Sequence, residues 1–194
     1  MRRLFVYAIS VSSLVGWGRL LAQDVFILRN YPYLSSGVDA PVYDWSGNLL
    51  SGSEWRAELY GGAISNSLSP AVGYDTYVRM QAIFIRPGYF SNPTSIDVLV
   101  LGVPGGGWAW LQVKVWDVQI GATCEETVAR GLGGYGQSPL FYAQGGDPNA
   151  LPPTVPLPLT GLQSFSVLEP VPEPAGWVLV AFGLGFVLRN GRRR

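Results

Sequence analysis

The strict alternation of Trp108–Trp116 (WAWLQVKVW) most constrains the fold. Successive side chains of a strand point to opposite faces. Ala109, Leu111, Val113 and Val115 therefore share one face, and Trp108, Trp110, Gln112, Lys114 and Trp116 share the other. A helix would mix these sets. Glu54–Tyr60 repeats the pattern, with Trp55, Ala57 and Leu59 opposite Glu54, Arg56 and Glu58. Val25–Arg29, Pro41–Trp45, Tyr77–Ile85, Ile96–Leu101, Pro139–Ala143 and Gln163–Leu168 are further predicted strands. Asp44-Trp-Ser-Gly47 and Val103-Pro-Gly-Gly-Gly107 supply turns between them. Gly 25 and Pro 15 make up about a fifth of the 194 residues, which suits a loop-rich β protein. The predicted fold is all-β, an antiparallel β-sandwich of about seven to nine strands.

One short helix interrupts the strands. Thr123-Cys-Glu-Glu126 has the spacing of a capping box, and the helix it starts is expected to reach about Ala129 and stop at Gly131, Gly133 and Gly134. Between Gly145 and Gly161, prolines 148, 152, 153, 156 and 158 make a stiff extended segment. It is expected to connect the last two strands or lie along a sheet. No internal repeat is visible.

Composition removes whole classes of chemistry. The chain has no His and a single Cys, Cys124. Imidazole bases, Ser-His-Asp and Cys-His catalysis, an intrachain disulfide framework and thiolate metal clusters are excluded. Cys124 is expected to be a buried apolar residue. The net charge of zero is an average over unlike regions: residues 23–174 hold 13 acids against six bases, a formal −7. Such a body avoids nucleic-acid phosphates, and nucleic acid is not an expected partner.

The basic residues gather at the ends instead. Arg2 and Arg3 precede a largely apolar run to Trp17, and Ala22 before Gln23 offers a cleavage site. Residues 1–22 read as an export signal helix. At the other end, Ala175–Leu188 is an uncharged apolar stretch followed by Arg189, Arg192, Arg193 and Arg194. Fourteen residues are short for a bilayer core about 30 Å thick, and the arginines would stay on the cytoplasmic side. The expectation is a weak C-terminal transmembrane helix with the acidic body outside.

Val171-Pro172-Glu173-Pro174, the apolar helix and the basic end together resemble the PEP-CTERM sorting signal, a tail also labelled an ice-binding protein C-terminal motif without implying ice binding. The resemblance implies that the chain is a substrate of an exosortase, held in the inner membrane of a Gram-negative bacterium and cut near the Pro-Glu-Pro triplet. The implied partners are the export machinery, the exosortase and the inner membrane, each transient, and then extracellular polysaccharide. The implied destination is the cell surface or matrix. The domain reading is signal 1–22, body 23–170 and sorting tail 171–194, with motif 171–174, apolar helix 175–188 and basic end 189–194. A permanently anchored extracytoplasmic domain is the alternative.

The body is also similar to exported domains that precede such tails. The similarity lies in Ala40-Pro-Val-Tyr-Asp-Trp-Ser-Gly47, Leu50-Ser-Gly52, Ala57-Glu-Leu-Tyr-Gly61, Val113-Lys-Val-Trp-Asp117, Gly121-Ala-Thr-Cys-Glu125, Tyr135-Gly-Gln-Ser138 and Gly161-Leu-Gln-Ser-Phe165. Cys124 departs from that pattern, which carries a large side chain there. The resemblance implies fold and destination, and no catalytic residue.

The remaining motifs read as structure. Gly131-Leu-Gly133-Gly-Tyr-Gly136 matches a dinucleotide fingerprint, but it follows a helix and precedes a strand, the reverse of what that site needs. Asp39, Asp44, Asp75, Asp97, Asp117, Glu125 and Glu126 could supply a glycosidase pair only if two lie about 5–9.5 Å apart. Solvated charges and turn caps are the expectation. No D-x-D-x-D-G calcium loop occurs, Gly-x-Ser-x-Gly is absent, and the only lysine, Lys114, lacks a Ser-x-x-Lys partner. No catalytic residue, metal or cofactor is expected, and the body is read as non-enzymatic. Trp108 and Trp110 project to one face about 7 Å apart. Burial is the leading expectation for them; if that face is open, they form a sugar-stacking platform. Trp55 and Trp116 are assigned to the core.

Overall fold

The computed structural model describes residues 23–32, 37–92 and 97–171. Among these lie thirteen strands: β1 Gln23–Ile27, β2 Val42–Tyr43, β3 Trp55–Gly62, β4 Ser69–Pro70, β5 Val72–Gly73, β6 Gln81–Arg86, β7 Tyr89–Ser91, β8 Asp97–Pro104, β9 Trp108–Asp117, β10 Tyr135–Gln137, β11 Phe141–Gln144, β12 Leu157–Pro158 and β13 Phe165–Ser166. The helix α1 spans Cys124–Arg130. The signal helix of 1–22, the apolar tail 175–188 and its basic end lie outside the described residues. Among the described residues, no helix is long and apolar enough to cross a membrane.

The described residues are mostly β, with largely antiparallel sheets and one helix. One sheet has the order β12-β1-β8-β5; a second runs β10-β9-β3-β6-β7, with β11 also on β9 and β4 also on β3. The longest pairing is β3 with β9, from Trp55 opposite Asp117 to Gly62 opposite Trp110. The inward residues of both sheets meet in one core. Phe26, Val98 and Val100 come from the first sheet, and Ala57, Leu59, Leu111, Val113 and Val115 from the second. Each fully buried Leu, Val or Phe contributes about 1.5–3 kcal/mol. The apolar alternation seen in the sequence is thus the inner face of β3 and β9.

All eight predicted segments overlap a strand, but the strand count exceeds the expected seven to nine. The additional strands β4, β5, β7, β10 and β12 have two or three residues each, too few to display a period. Pairing is not wholly antiparallel either. β12 runs parallel to β1, with Phe26 opposite Leu157, and β13 runs parallel to β2, with Phe165 opposite Val42. Both parallel strands come from the last part of the body. The proline-rich segment supplies β12 on a sheet edge, where the missing N–H of Pro158 is tolerated.

Glu58, on the face of β3 opposite Ala57 and Leu59, is fully buried, and Tyr60 on the same side is buried with it. The outer face of the second sheet is covered at this end, where α1 packs on β9 and β10.

The helix forms as its sequence directs. Thr123 is the N-cap and its hydroxyl accepts from the Glu126 amide at 3.2 Å. Glu126 reaches back to the amide of Ala122, one residue before the cap, at 2.9 Å. Gly131 ends the helix in the left-handed region at φ 68°, which favours glycine. The G-x-G-x-x-G match is this helix stop and the loop into β10.

Candidate functional site

The covered outer face opens again at the far end of β9. The register of β11 on β9 sets Tyr142 opposite Trp110 and Gln144 opposite Trp108. Trp108 is 52% exposed and Tyr142 50% exposed, while Trp110 is half-buried between them and the sheet. Burial, the leading expectation for Trp108, is therefore overturned. α1 covers the Lys114–Trp116 stretch and does not extend to this end.

The three rings form one surface. Trp108 stacks on Tyr142 with centroids 5.2 Å apart and planes 23° from parallel; Trp110 meets the same ring at 5.0 Å and 42°. Such contacts contribute about 0.5–1.5 kcal/mol each beyond area burial, so the rings hold one another in place. Amides border them. Gln144 donates its Nε2 to Gly106 O at 2.8 Å, and Gln112 donates to Ser138 O at 3.0 Å. Each leaves its side-chain carbonyl as an acceptor at the rim. An open aromatic face with polar groups beside it suits a flat ligand that is apolar on its faces and polar at its edge.

A second cluster lies farther along the same sheet. Arg79 grips Glu58 with Nε at 2.8 Å and Nη2 at 2.5 Å, and Nη2 also donates to Tyr60 OH at 2.8 Å. Tyr60 donates a short hydrogen bond to Glu125, which Arg79 also reaches at 3.3 Å. Lys114 places its ammonium 3.8 Å from the Tyr60 ring centroid. Burial, the bond to Glu125 and the charge of Glu58 drive the Tyr60 hydroxyl far above its usual range. Burial alone would raise Glu125, but the Tyr60 bond and Arg79 outweigh it and hold the carboxyl down at about 2. Every oxygen of this carboxylate pair is engaged by Arg79 or Tyr60. The cluster is a structural brace.

Among the other acids, Asp44 and Asp117 cap turns and Asp39 takes a tyrosine hydroxyl. Asp44 accepts from the Ser46 and Asn48 amides, Asp117 from Gln119, and Asp39 from the Tyr89 hydroxyl. No group of three metal-ligating side chains occurs among the described residues. Cys124 is buried in α1, and burial pushes its thiol up to about 11. Trp55 and Trp116 are buried.

Of the sorting residues, Val171 is described. It is exposed, and its amide donates to Leu132 O at 2.6 Å. Pro172, Glu173, Pro174, Ala22, Arg189, Arg192, Arg193 and Arg194 lie outside the described residues. Gln23 opens β1. Tyr142, the ring that unites the two tryptophans, escaped sequence reasoning; its own strand was predicted, but the register that brings it to Trp110 is non-local.

No family model, curated protein or solved structure matches this chain.

Proposed function

We propose that this chain is an exported, non-enzymatic protein of the cell surface or extracellular matrix, sorted by an exosortase, whose β-sandwich body binds polysaccharide on Trp108, Tyr142 and Trp110. The observation that carries the binding is the exposed stack of these three rings. The apolar face of a sugar ring lies on an aromatic ring, while its hydroxyls meet acceptors such as Gln144 and Gln112. The order of export signal, acidic body, Pro-Glu-Pro motif, apolar stretch and arginines supports the sorting. The two facing sheets with one core between them support the sandwich. A body without His, whose paired carboxylates are tied to an arginine, favours binding over turnover.

Two measurements test the reading. Replacing both Trp108 and Trp110 by Ala is expected to weaken retention on insoluble or gel-embedded polysaccharides at least about tenfold, as expected for losing two stacking contacts. The melting temperature should fall by no more than the loss of the two ring contacts and the half-buried Trp110 implies, with a cooperative transition kept. Unchanged retention in a folded double variant would sink the platform. The sorting is tested by the intact mass of the native protein in membrane and matrix fractions. A matrix form running from near Gln23 to near Pro174 supports release; a membrane form keeping Arg194 means a permanent anchor.

A further inference from the structure

Asp24 sits at the corner where the two larger sheets are tied together. It lies on the side of β1 that carries Phe26 into the core, and it is fully buried. Neither carboxyl oxygen has a hydrogen-bond partner. A buried carboxyl without partners is rare, since ionising it there is costly unless something compensates.

Glycine backbone lies against Asp24. The carboxyl lies against the Cα of Gly145, so closely that a Cβ there would collide with it. The amides of Gly145 and Gly106 approach it without reaching hydrogen-bond geometry. Both amides already have partners, and both bonds are long: Gly106 N to Gly146 O at 3.3 Å and Gly145 N to Gly107 O at 3.2 Å. Gly146 in turn exchanges hydrogen bonds with Val25 at 2.8 and 3.1 Å. The turn 104–107 thus clamps segment 145–146, which clamps β1, with Asp24 beneath.

This corner also sets the edge of the aromatic platform. Trp108 directly follows the turn, Gln144 pairs with Trp108, and Gln144 is bonded to Gly106 O. Whatever loosens the glycine clamp frees the backbone of both platform residues.

We propose that Asp24 is a proton-operated latch. Protonated, it lets the corner close and holds Trp108 and Gln144 in the platform; ionised, it draws in water and opens the clamp. The structural half stands alone, and the consequence for polysaccharide rests on the binding reading above. With residues 1–22 attached, one charged group among the described residues faces Asp24, and that is Asp147 in the segment after β11; cleavage before Gln23 would add an α-ammonium one residue away. The β8–β9 turn brings only Pro104 and glycines, and the neighbouring β8 residue opposite is Val100. Burial first, and then the like charge of Asp147, raise the carboxyl to about 7, against the opposing pull of the Gly145 and Gly106 amides. The closed corner binds the proton more tightly than the open one. Closure is therefore complete at low pH, weakens about tenfold per unit from about pH 4 upward, and gains nothing further from protons above about pH 7.

Hydrogen exchange of the full-length chain in mild detergent decides this. Peptides spanning 104–108 and 143–147 are compared between the natural protein and Asp24→Asn, always at equal pH so that intrinsic exchange cancels. At pH 8 the natural protein should exchange at least about a hundredfold faster than the variant, and at pH 3.5 within about twofold. An equal ratio at both pH values, or slower exchange of the natural protein at pH 8, overturns the latch. Should Asp24→Asn not fold, the melting temperature of the natural protein decides: it should fall between pH 5.5 and 7.5, and a flat or rising curve counts against the latch. Loss of this pH dependence sinks the latch whatever the tryptophan variants do. Unaltered polysaccharide retention in those variants sinks the platform whatever Asp24 does.

Discussion

Glu58 enters the interior on the arm of Arg79. A fully buried carboxylate is tolerated because Nε and Nη2 of the guanidinium take both oxygens, and Nη2 also reaches Tyr60 and Glu125. Removing one partner of a buried pair costs about 3–5 kcal/mol. Arg79→Met should fall toward the low end of that range, since the Arg79 side chain is 37% exposed. Denaturant melts would show it, and adding Glu58→Gln should recover part of the loss. Full stability in Arg79→Met would mean that Glu58 has another partner. None of this was legible in the sequence. Glu58, Arg79 and Glu125 are 21 and 46 positions from one another along the chain, and alternation alone put Glu58 opposite Leu59 without showing what covers that face. Asn30 is a similar case: it donates to Ala40 O and Gly88 O and accepts from the Phe90 amide. A loop asparagine in the sequence is thus a three-way staple in the fold.

Elements set by local chemistry were readable, and those set by pairing were not. The helix was legible because Thr123, Glu126 and Gly131 act within one or two turns. Thr123→Ala should cost about 1 kcal/mol, a typical value for a lost N-cap. Gly133→Ala should cost more than that cap. It has φ 70°, and a Cβ there would run into the backbone oxygen of Glu169. Thermal melts of the two variants would rank them, and a smaller loss in Gly133→Ala would show that the 168–170 segment can move aside. β3 and β9 were legible because eight and ten residues give several periods. β12 was hidden in a run of prolines, and its place beside β1 follows from a contact about 130 residues away in sequence. The candidate site divides the same way: Trp108 and Trp110 share a face by period two, whereas their exposure depended on where α1 stops covering the sheet.

For the whole molecule, two carboxyls pull stability in opposite directions. Glu125 is held near 2, below its ordinary value, so its contribution is present above about pH 4.5 and is lost as pH falls toward 2. Asp24 is held near 7, above its ordinary value, so its contribution is present below about pH 4 and is lost as pH rises through 7. Their overlap places the stability maximum on the acid side, at about pH 4–5, and the surplus of acids in 23–174 reinforces the decline above it. A melting-temperature profile checks this. Asp24→Asn should flatten its alkaline limb, and a maximum at pH 7 or above would contradict it.

The parallel strands β12 and β13 also dictate an order of events in time. β1 and β2 are made first, yet their partners at Leu157–Pro158 and Phe165–Ser166 are made last. A chain emerging from its N-terminus cannot complete either sheet until nearly the whole body has been delivered, and contacts so distant in sequence form slowly. For a protein threaded across a membrane as proposed, these two closing pairings can form only after nearly the whole body has crossed.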